Sequence, residues 1–291
     1  MKFRIKTLRA NDIGREVVGV DETTVSYVSN INYADRNCLT FYNLPEIEIL
    51  KEVKAGIILV DNKLKEKITK FKAKSLVLCE NPLYEFVKIL SDNFENTYIG
   101  DVKESLLDSR LKIAENSYIE QNVSIGFKSE IYPGVYIYSN TKIGEDCRIQ
   151  SSTSIGAVGL AYAINNGTYE RFPHLGGILI GNKVDIGSNV TVVKGILQNT
   201  VICDGTKIGN NVNIGHNVEI GKNCFISSGV TIAGSARIED GCWIGPGVTI
   251  LNKVLIRRNT EIGIGSVVNK DTDEDSFYIG YPSRKLSNKV N

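Results

Sequence analysis

Isoleucine returns at every sixth residue through most of the last two thirds of this chain. The first run is Ile113, Ile119, Ile125, Ile131, Ile137, Ile143, Ile149 and Ile155. A second is Ile180, Ile186 and Val192. After a slip of four residues a third begins at Ile202 and continues through Ile208, Ile214, Ile220, Ile226, Ile232, Ile238, Ile244, Ile250, Ile256 and Ile262 to Val268. An amphipathic helix repeats its apolar face about every 3.6 residues and an alternating strand about every 2, so neither holds one β-branched residue at a spacing of six for so long. A coiled solenoid does, each repeat being a short strand and its bend. Glycine often follows the isoleucine, as at Gly126, Gly144, Gly187, Gly215 and Gly221, which suits tight bends between short strands. The residue two places before it is usually small (Val123, Cys147, Thr153, Val184, Cys224, Cys242) and is expected to fill the interior beside it. The six cysteines form no CxxC pair, so neither a zinc knuckle nor a dithiol motif is spelled out, and they are expected to be reduced and structural.

The register breaks between Ile155 and Ile180. The intervening segment, running from Gly156 through Gly159-Leu160-Ala161-Tyr162 and Asn165-Asn166-Gly167 to Phe172-Pro173-His174, is expected to be a loop ejected from the coil at about residues 156–178. A long excursion from a rigid scaffold is more often functional than not. Residues 1–105 show no hexad. Strand candidates there, Gly56 to Val60 and Ser75 to Cys79, alternate with a helix candidate that starts at Asn81 and Pro82, a good N-cap and first helical residue, and places Leu83, Phe86, Val87 and Leu90 on one face. The expectation is a small α/β domain over 1–105 and a mainly β solenoid over 106–291 with a short C-terminal tail.

With 34 basic and 33 acidic residues the net charge is +1, and no basic run tracks a phosphate backbone, which argues against a nucleic-acid partner. No stretch has the roughly 20 apolar residues of a membrane span or the core of a signal peptide, so no membrane span is expected and the default location is the cytoplasm. Only two histidines exist, His174 and His216, which makes the search for a general base near neutral pH short. A zinc site of three histidines is nearly excluded by that count, and no metal site is expected.

The hexads are similar to those of the hexapeptide-repeat family, whose members form a triangular left-handed parallel β-helix with three hexapeptides per coil. The resemblance implies that residues 18 apart stack at about one strand spacing, ~4.8 Å. More specifically, Gly159-Leu160-Ala161-Tyr162 with Gly167-Thr168-Tyr169-Glu170-Arg171-Phe172-Pro173, then Lys183-Val184-Asp185-Ile186-Gly187 continuing to Lys194-Gly195, Ile214-Gly215-His216-Asn217-Val218 and Ile232-Ala233-Gly234-Ser235 resemble the UDP-3-O-acylglucosamine N-acyltransferases of lipid A (lipopolysaccharide) synthesis. Leu39-Thr40-Phe41 and Leu76-Val77-Leu78-Cys79-Glu80-Asn81-Pro82 resemble that family's nucleotide-binding domain.

The resemblance implies that His216 is the base that takes a proton from a sugar amine attacking a thioester carbonyl, and that the backbone N–H of Gly234, one coil of 18 further on, is the oxyanion donor. It implies substrate contacts from Phe41, stacked on the nucleotide base, from Asn43, and from Asn217 beside the base. His174, in the ejected loop, is a further candidate substrate contact. It also implies a homotrimer with no bound cofactor, the acyl group arriving on acyl carrier protein or coenzyme A. Two positions depart from the family pattern: a second histidine corresponds to Lys253, and an acidic residue seven positions before His216 is Gly209. The sequence ends soon after Tyr281-Pro282, where the lipid A enzymes continue into helices that help dock acyl carrier protein. Coenzyme A is therefore the rival donor carrier. A coenzyme A-dependent enzyme acting on a dTDP-linked amino-dideoxysugar for surface polysaccharide is the rival within the same chemistry, and a noncatalytic β-helix trimer the rival outside it.

Overall fold

The computed structural model describes residues 1–93, 106–107 and 111–288. It divides into two compact units, one drawn from residues 1–97 and 160–175, the other from 98–159 and 176–291. The expected domain boundary near residue 105 lies outside the described residues. Among those residues, no helix is long and apolar enough to cross a membrane.

Among the described residues, the first unit is a six-stranded mixed sheet with one α-helix. Its strands are β1 (Lys2–Arg9), β2 (Glu16–Gly19), β3 (Thr24–Ser29), β4 (Cys38–Tyr42), β5 (Ile57–Asp61) and β6 (Ser75–Cys79), in the order β1-β3-β4-β5-β6-β2. The parallel centre, β3 to β6, is flanked by antiparallel β1 and β2. Ile57, Ile58, Leu59 and Val60 are all buried, as a parallel strand covered on both faces requires. Helix α1 (Pro82–Asn93) begins where the N-cap signal puts it: Asn81 Oδ1 accepts the Tyr84 N–H at 3.1 Å. Its buried face is Phe86, Val87, Ile89 and Leu90; Leu83 is half-buried.

The chain ejected from the solenoid belongs to this first unit. Tyr162–Asn165 and Thr168–Arg171 pair as an antiparallel hairpin, turned by Asn166 and Gly167 at positive φ of 48° and 77°. Asn81 Nδ2 donates to Ile164 O at 2.9 Å, and the Phe86 ring meets Phe172 edge-on at 6.1 Å, so the hairpin is anchored on α1.

The second unit is the left-handed β-helix. Among the described residues, parallel two- to four-residue strands stack into three sheets, two of eight strands and one of ten, the last of which closes on the five-residue antiparallel strand Arg284–Asn288. Isoleucine lies on isoleucine, for example Ile125 on Ile143 and Ile214 on Ile232 on Ile250. This ladder and the small residues two places before it form one continuous core, with Ile137, Ile149, Ile155, Ile226 and Ile244 wholly buried. Several inner cysteines and hydroxyls have a second task, donating to a carbonyl at a neighbouring corner: Cys147 Sγ to Gly181 O (3.1 Å), Thr206 Oγ1 to Gly221 O (2.7 Å) and Cys224 Sγ to Glu239 O (3.1 Å). Small polar side chains thus satisfy carbonyls that the corner geometry would otherwise leave buried.

The glycines that follow the isoleucines are not the bend residues. The left-handed bend falls two positions later, three after the isoleucine, at Asn122, Asn140, Asn189, Asn211, Asn217, Asn223 and Ser235 with φ between 54° and 62°. Asparagine tolerates that region better than most residues. Glycine is required earlier because neighbouring coils touch there: a Cβ on Gly126 would lie 2.6 Å from Gly144 C, and one on Gly215 2.7 Å from Gly234 N.

Candidate active site

The corner that carries His216 follows the strand Asn213–Ile214. That strand is stacked between Thr191–Val193 and Thr231–Ile232, so the residues two beyond the apolar one in successive coils are Lys194, His216 and Gly234. At other corners the amide at this level is capped by a side chain from the coil ahead. Ser188 N–H donates to Asn210 Oδ1 (2.8 Å), Asn182 N–H to Asp204 Oδ1 (2.7 Å) and Lys222 N–H to Asp240 Oδ1 (2.7 Å). At His216 the residue ahead is Gly234, which has no side chain to offer. The imidazole occupies the vacated space: a Cβ built on Gly234 would lie 2.6 Å from His216 Nε2 and 2.7 Å from Cε1. The ring therefore lies flush on the Gly234 backbone, bringing together the two residues expected to supply base and oxyanion donor. Ala233 N–H is taken by Ile250 O and Ser235 N–H by His216 O; among the described residues, no hydrogen bond engages the Gly234 N–H.

Asn217, expected to contact substrate, makes hydrogen bonds within its own chain. Its Oδ1 accepts the Ile196 N–H at 3.1 Å and lies 3.0 Å from His216 Nδ1, its Nδ2 donates to Gln198 O at 3.2 Å, and its backbone N–H donates to Thr200 Oγ1 at 2.9 Å. The side chain thus meets the backbone of residues 196 and 198 and the histidine ring; adjacency in sequence did not reveal where the amide would point.

Lys194, one coil before His216, is nearly inaccessible, 4% exposed. Burial pulls its pKa below the usual lysine range, and Glu120 opposes that shift. A lysine inside a run of strand residues is the signal that could have marked it.

Phe41 and Asn43 lie in the first unit, at and just beyond the end of β4. Phe41 is half-buried with its ring braced on Phe86, 4.9 Å between centroids, and Asn43 is exposed. His174 belongs to that unit too; its Nδ1 lies 3.2 Å from Phe172 O.

Comparison with known proteins agrees with this architecture. The family model described as bacterial transferase hexapeptide (six repeats) matches residues 122–157 and 199–234. Of solved structures, the UDP-N-acetylglucosamine acyltransferase from Campylobacter jejuni superposes with a TM-score of 0.53 at 21% identity, over 63% of this chain and 73% of that one, which speaks to the fold. A Marinomonas protein named UDP-3-O-acylglucosamine N-acyltransferase is 45% identical over 74 residues, 25% of this chain but only 22% of the relative's length. UDP-3-O-acylglucosamine N-acyltransferase 1 of Francisella tularensis subsp. holarctica is 32% identical over 232 residues, covering 68% of this chain and 67% of that protein. The chain belongs to the UDP-3-O-acylglucosamine N-acyltransferase family. In this member of the UDP-3-O-acylglucosamine N-acyltransferases, Lys253 is an exposed corner residue whose N–H bonds to Gly234 O at 3.1 Å, and Gly209 has no side chain to offer the base. The Nδ1 partner of His216 is the Asn217 amide.

Proposed function

We propose that this chain transfers an acyl group from a thioester to the amine of a nucleotide-linked amino sugar, with His216 as base. The observation that carries the reading is the placement of His216 Nε2 against Gly234. The amine nitrogen attacks the thioester carbonyl carbon, forming the C–N bond, and the carbonyl oxygen becomes an oxyanion that accepts the Gly234 N–H. His216 Nε2 takes the proton that the amine nitrogen must lose. The C–S bond then breaks, the electron pair leaves on sulfur, and the proton passes to that thiolate, so the products are an amide and a free thiol. Phe41 stacks on the nucleotide base, Asn43 hydrogen-bonds to that base, and His174 contacts the substrate. The enzyme acts as a homotrimer and binds no cofactor beyond its thioester co-substrate.

The test is to incubate the protein with UDP- or dTDP-linked amino sugars and either acyl-coenzyme A or acyl-acyl carrier protein, following thiol release and product mass. Turnover with one pairing identifies both substrates, and His216→Ala is expected to lower it ~10²-fold or more, the range for loss of a general base. Undiminished turnover in His216→Ala would remove His216 from the mechanism. No turnover with any pairing would favour a noncatalytic assembly. Sedimentation of the full chain at the mass of a monomer would refute the trimer.

A further inference from the structure

The four-residue slip in the repeat has a structural counterpart beside His216. Ile180 stacks on Ile202, Ile186 on Ile208 and Val192 on Ile214, a coil of 22 residues where the next, from Ile202 to Ile220, takes 18. The extra residues fall between the strands Thr191–Val193 and Thr200–Ile202, as a turn over residues 194–199. Two backbone groups of this turn, Ile196 N–H and Gln198 C=O, grip the Asn217 amide from either side. The first can only donate and the second can only accept, so the amide has one orientation, with Oδ1 towards His216. An amide oxygen only accepts, so the imidazole must donate its Nδ1–H across the 3.0 Å contact. A neutral ring so held carries its lone pair on Nε2, the nitrogen that lies against Gly234.

The turn is itself rigidly made. Gly176 N–H donates to Gly195 O (3.0 Å) and Ile196 O (2.9 Å), Gly177 N–H donates to Asn199 Oδ1 (2.9 Å), and Thr200 N–H donates to Gly177 O (3.1 Å). Thr200 Oγ1 donates to Val193 O (2.7 Å) while accepting the Asn217 N–H, which ties both ends of the turn to the residue it orients. There is no room for a side chain at its glycine or at the glycine packed against it: a Cβ on Gly195 would lie 1.6 Å from Gln198 O, and one on Gly176 2.0 Å from the same atom.

We infer that the turn over residues 194–199 is a positioning device that fixes the tautomer and aim of His216 through Asn217, the task a carboxylate performs in Ser–His–Asp sites. Asn217 is thus a positioning residue, and the inference rests on the reading of His216 as the base.

The experiment is long-range 1H–15N NMR on the full-length protein labelled with 15N-histidine, His174→Gln assigning the two rings, together with kcat and KM. Wild-type His216 is expected in the Nδ1–H form. Asn217→Leu and Gly195→Ala are expected to give a mixture of tautomers and to lower kcat about 10- to 10²-fold with KM little changed, whereas Asn217→Asp retains an acceptor and keeps the Nδ1–H form. A wild-type ring in the Nε2–H form overturns the inference outright, even if Gly195→Ala fails to fold. So does a folded Asn217→Leu protein that keeps both the tautomer and kcat. Full turnover in His216→Ala would instead remove the base assignment, a separate result because the tautomer is read without substrate.

Discussion

Gly234→Ala tests the placement of the base more cleanly than removal of the base itself. The new methyl would stand 2.6 Å from His216 Nε2, where ordinary contact begins near 3.4 Å, so the ring must withdraw by the difference, about 0.8 Å. The alternative, a shift of the corner backbone, is opposed by Ser235 N–H to His216 O (2.8 Å) and Lys253 N–H to Gly234 O (3.1 Å). Gly234 is not among the positive-φ residues, so alanine adds no backbone strain, and it keeps the N–H assigned to the oxyanion. A misplacement of about 1 Å costs roughly 10²-fold, so kcat should fall by about that factor, ~2.7 kcal/mol of barrier. The added methyl at a half-exposed corner should lower stability by only about 1 kcal/mol, the low end for overpacking. Steady-state kinetics with the productive substrate pair, alongside thermal unfolding, separates the two effects. A folded Gly234→Ala protein with kcat within about twofold of wild type would refute the idea that His216 works from this position.

Three further substitutions probe the scaffold. Ile149→Ala, at a wholly buried rung stacked between Ile131 and Ile186, should cost about 2–5 kcal/mol in denaturant unfolding; a cost below about 1 kcal/mol would mean the isoleucine ladder is not the core. Phe86→Ala removes the ring on which Phe41 and Phe172 both rest, so the first unit should lose about 3–5 kcal/mol, and unchanged unfolding would show that the hairpin and β4 do not depend on it. Asp35, hydrogen-bonded by Lys2, Cys38 and the Asn37 N–H, has its pKa lowered from 3.8 to about 2. A depressed carboxylate stabilises fully above its unfolded value and loses that contribution as pH falls from 3.8 through about 2. Because both partners are about half exposed, the effect is discounted to about 1 kcal/mol or less: Asp35→Asn should cost that much at pH 7 and only a small part of it at pH 2, and an equal cost at both would contradict it.

Much of the architecture was legible because the β-helix has one environment repeated many times. A period of six with isoleucine at the same place announces the solenoid without a tertiary contact being known, and Asn81-Pro82 announces α1 by a purely local hydrogen bond. The function of the glycines was misread for the complementary reason. Their need arises from the backbone of the next coil, 18 residues or more away, and nothing local distinguishes that crowding from a bend. The strands β1 to β4 carry no period and no turn dipeptide of comparable strength, so their order in the mixed sheet was not foreseen.

At the active site the division is sharper. The sequence determined that His216 and Gly234 would meet once the family resemblance implied three hexapeptides per coil, which makes a separation of 18 within an unbroken run a stacking distance. Only the tertiary structure decided what holds the histidine. Asn217 reaches Ile196 and Gln198, 21 and 19 residues back, because four extra residues loop out at that one corner, and hydrogen-bond direction depends on that local path of the backbone rather than on any periodicity.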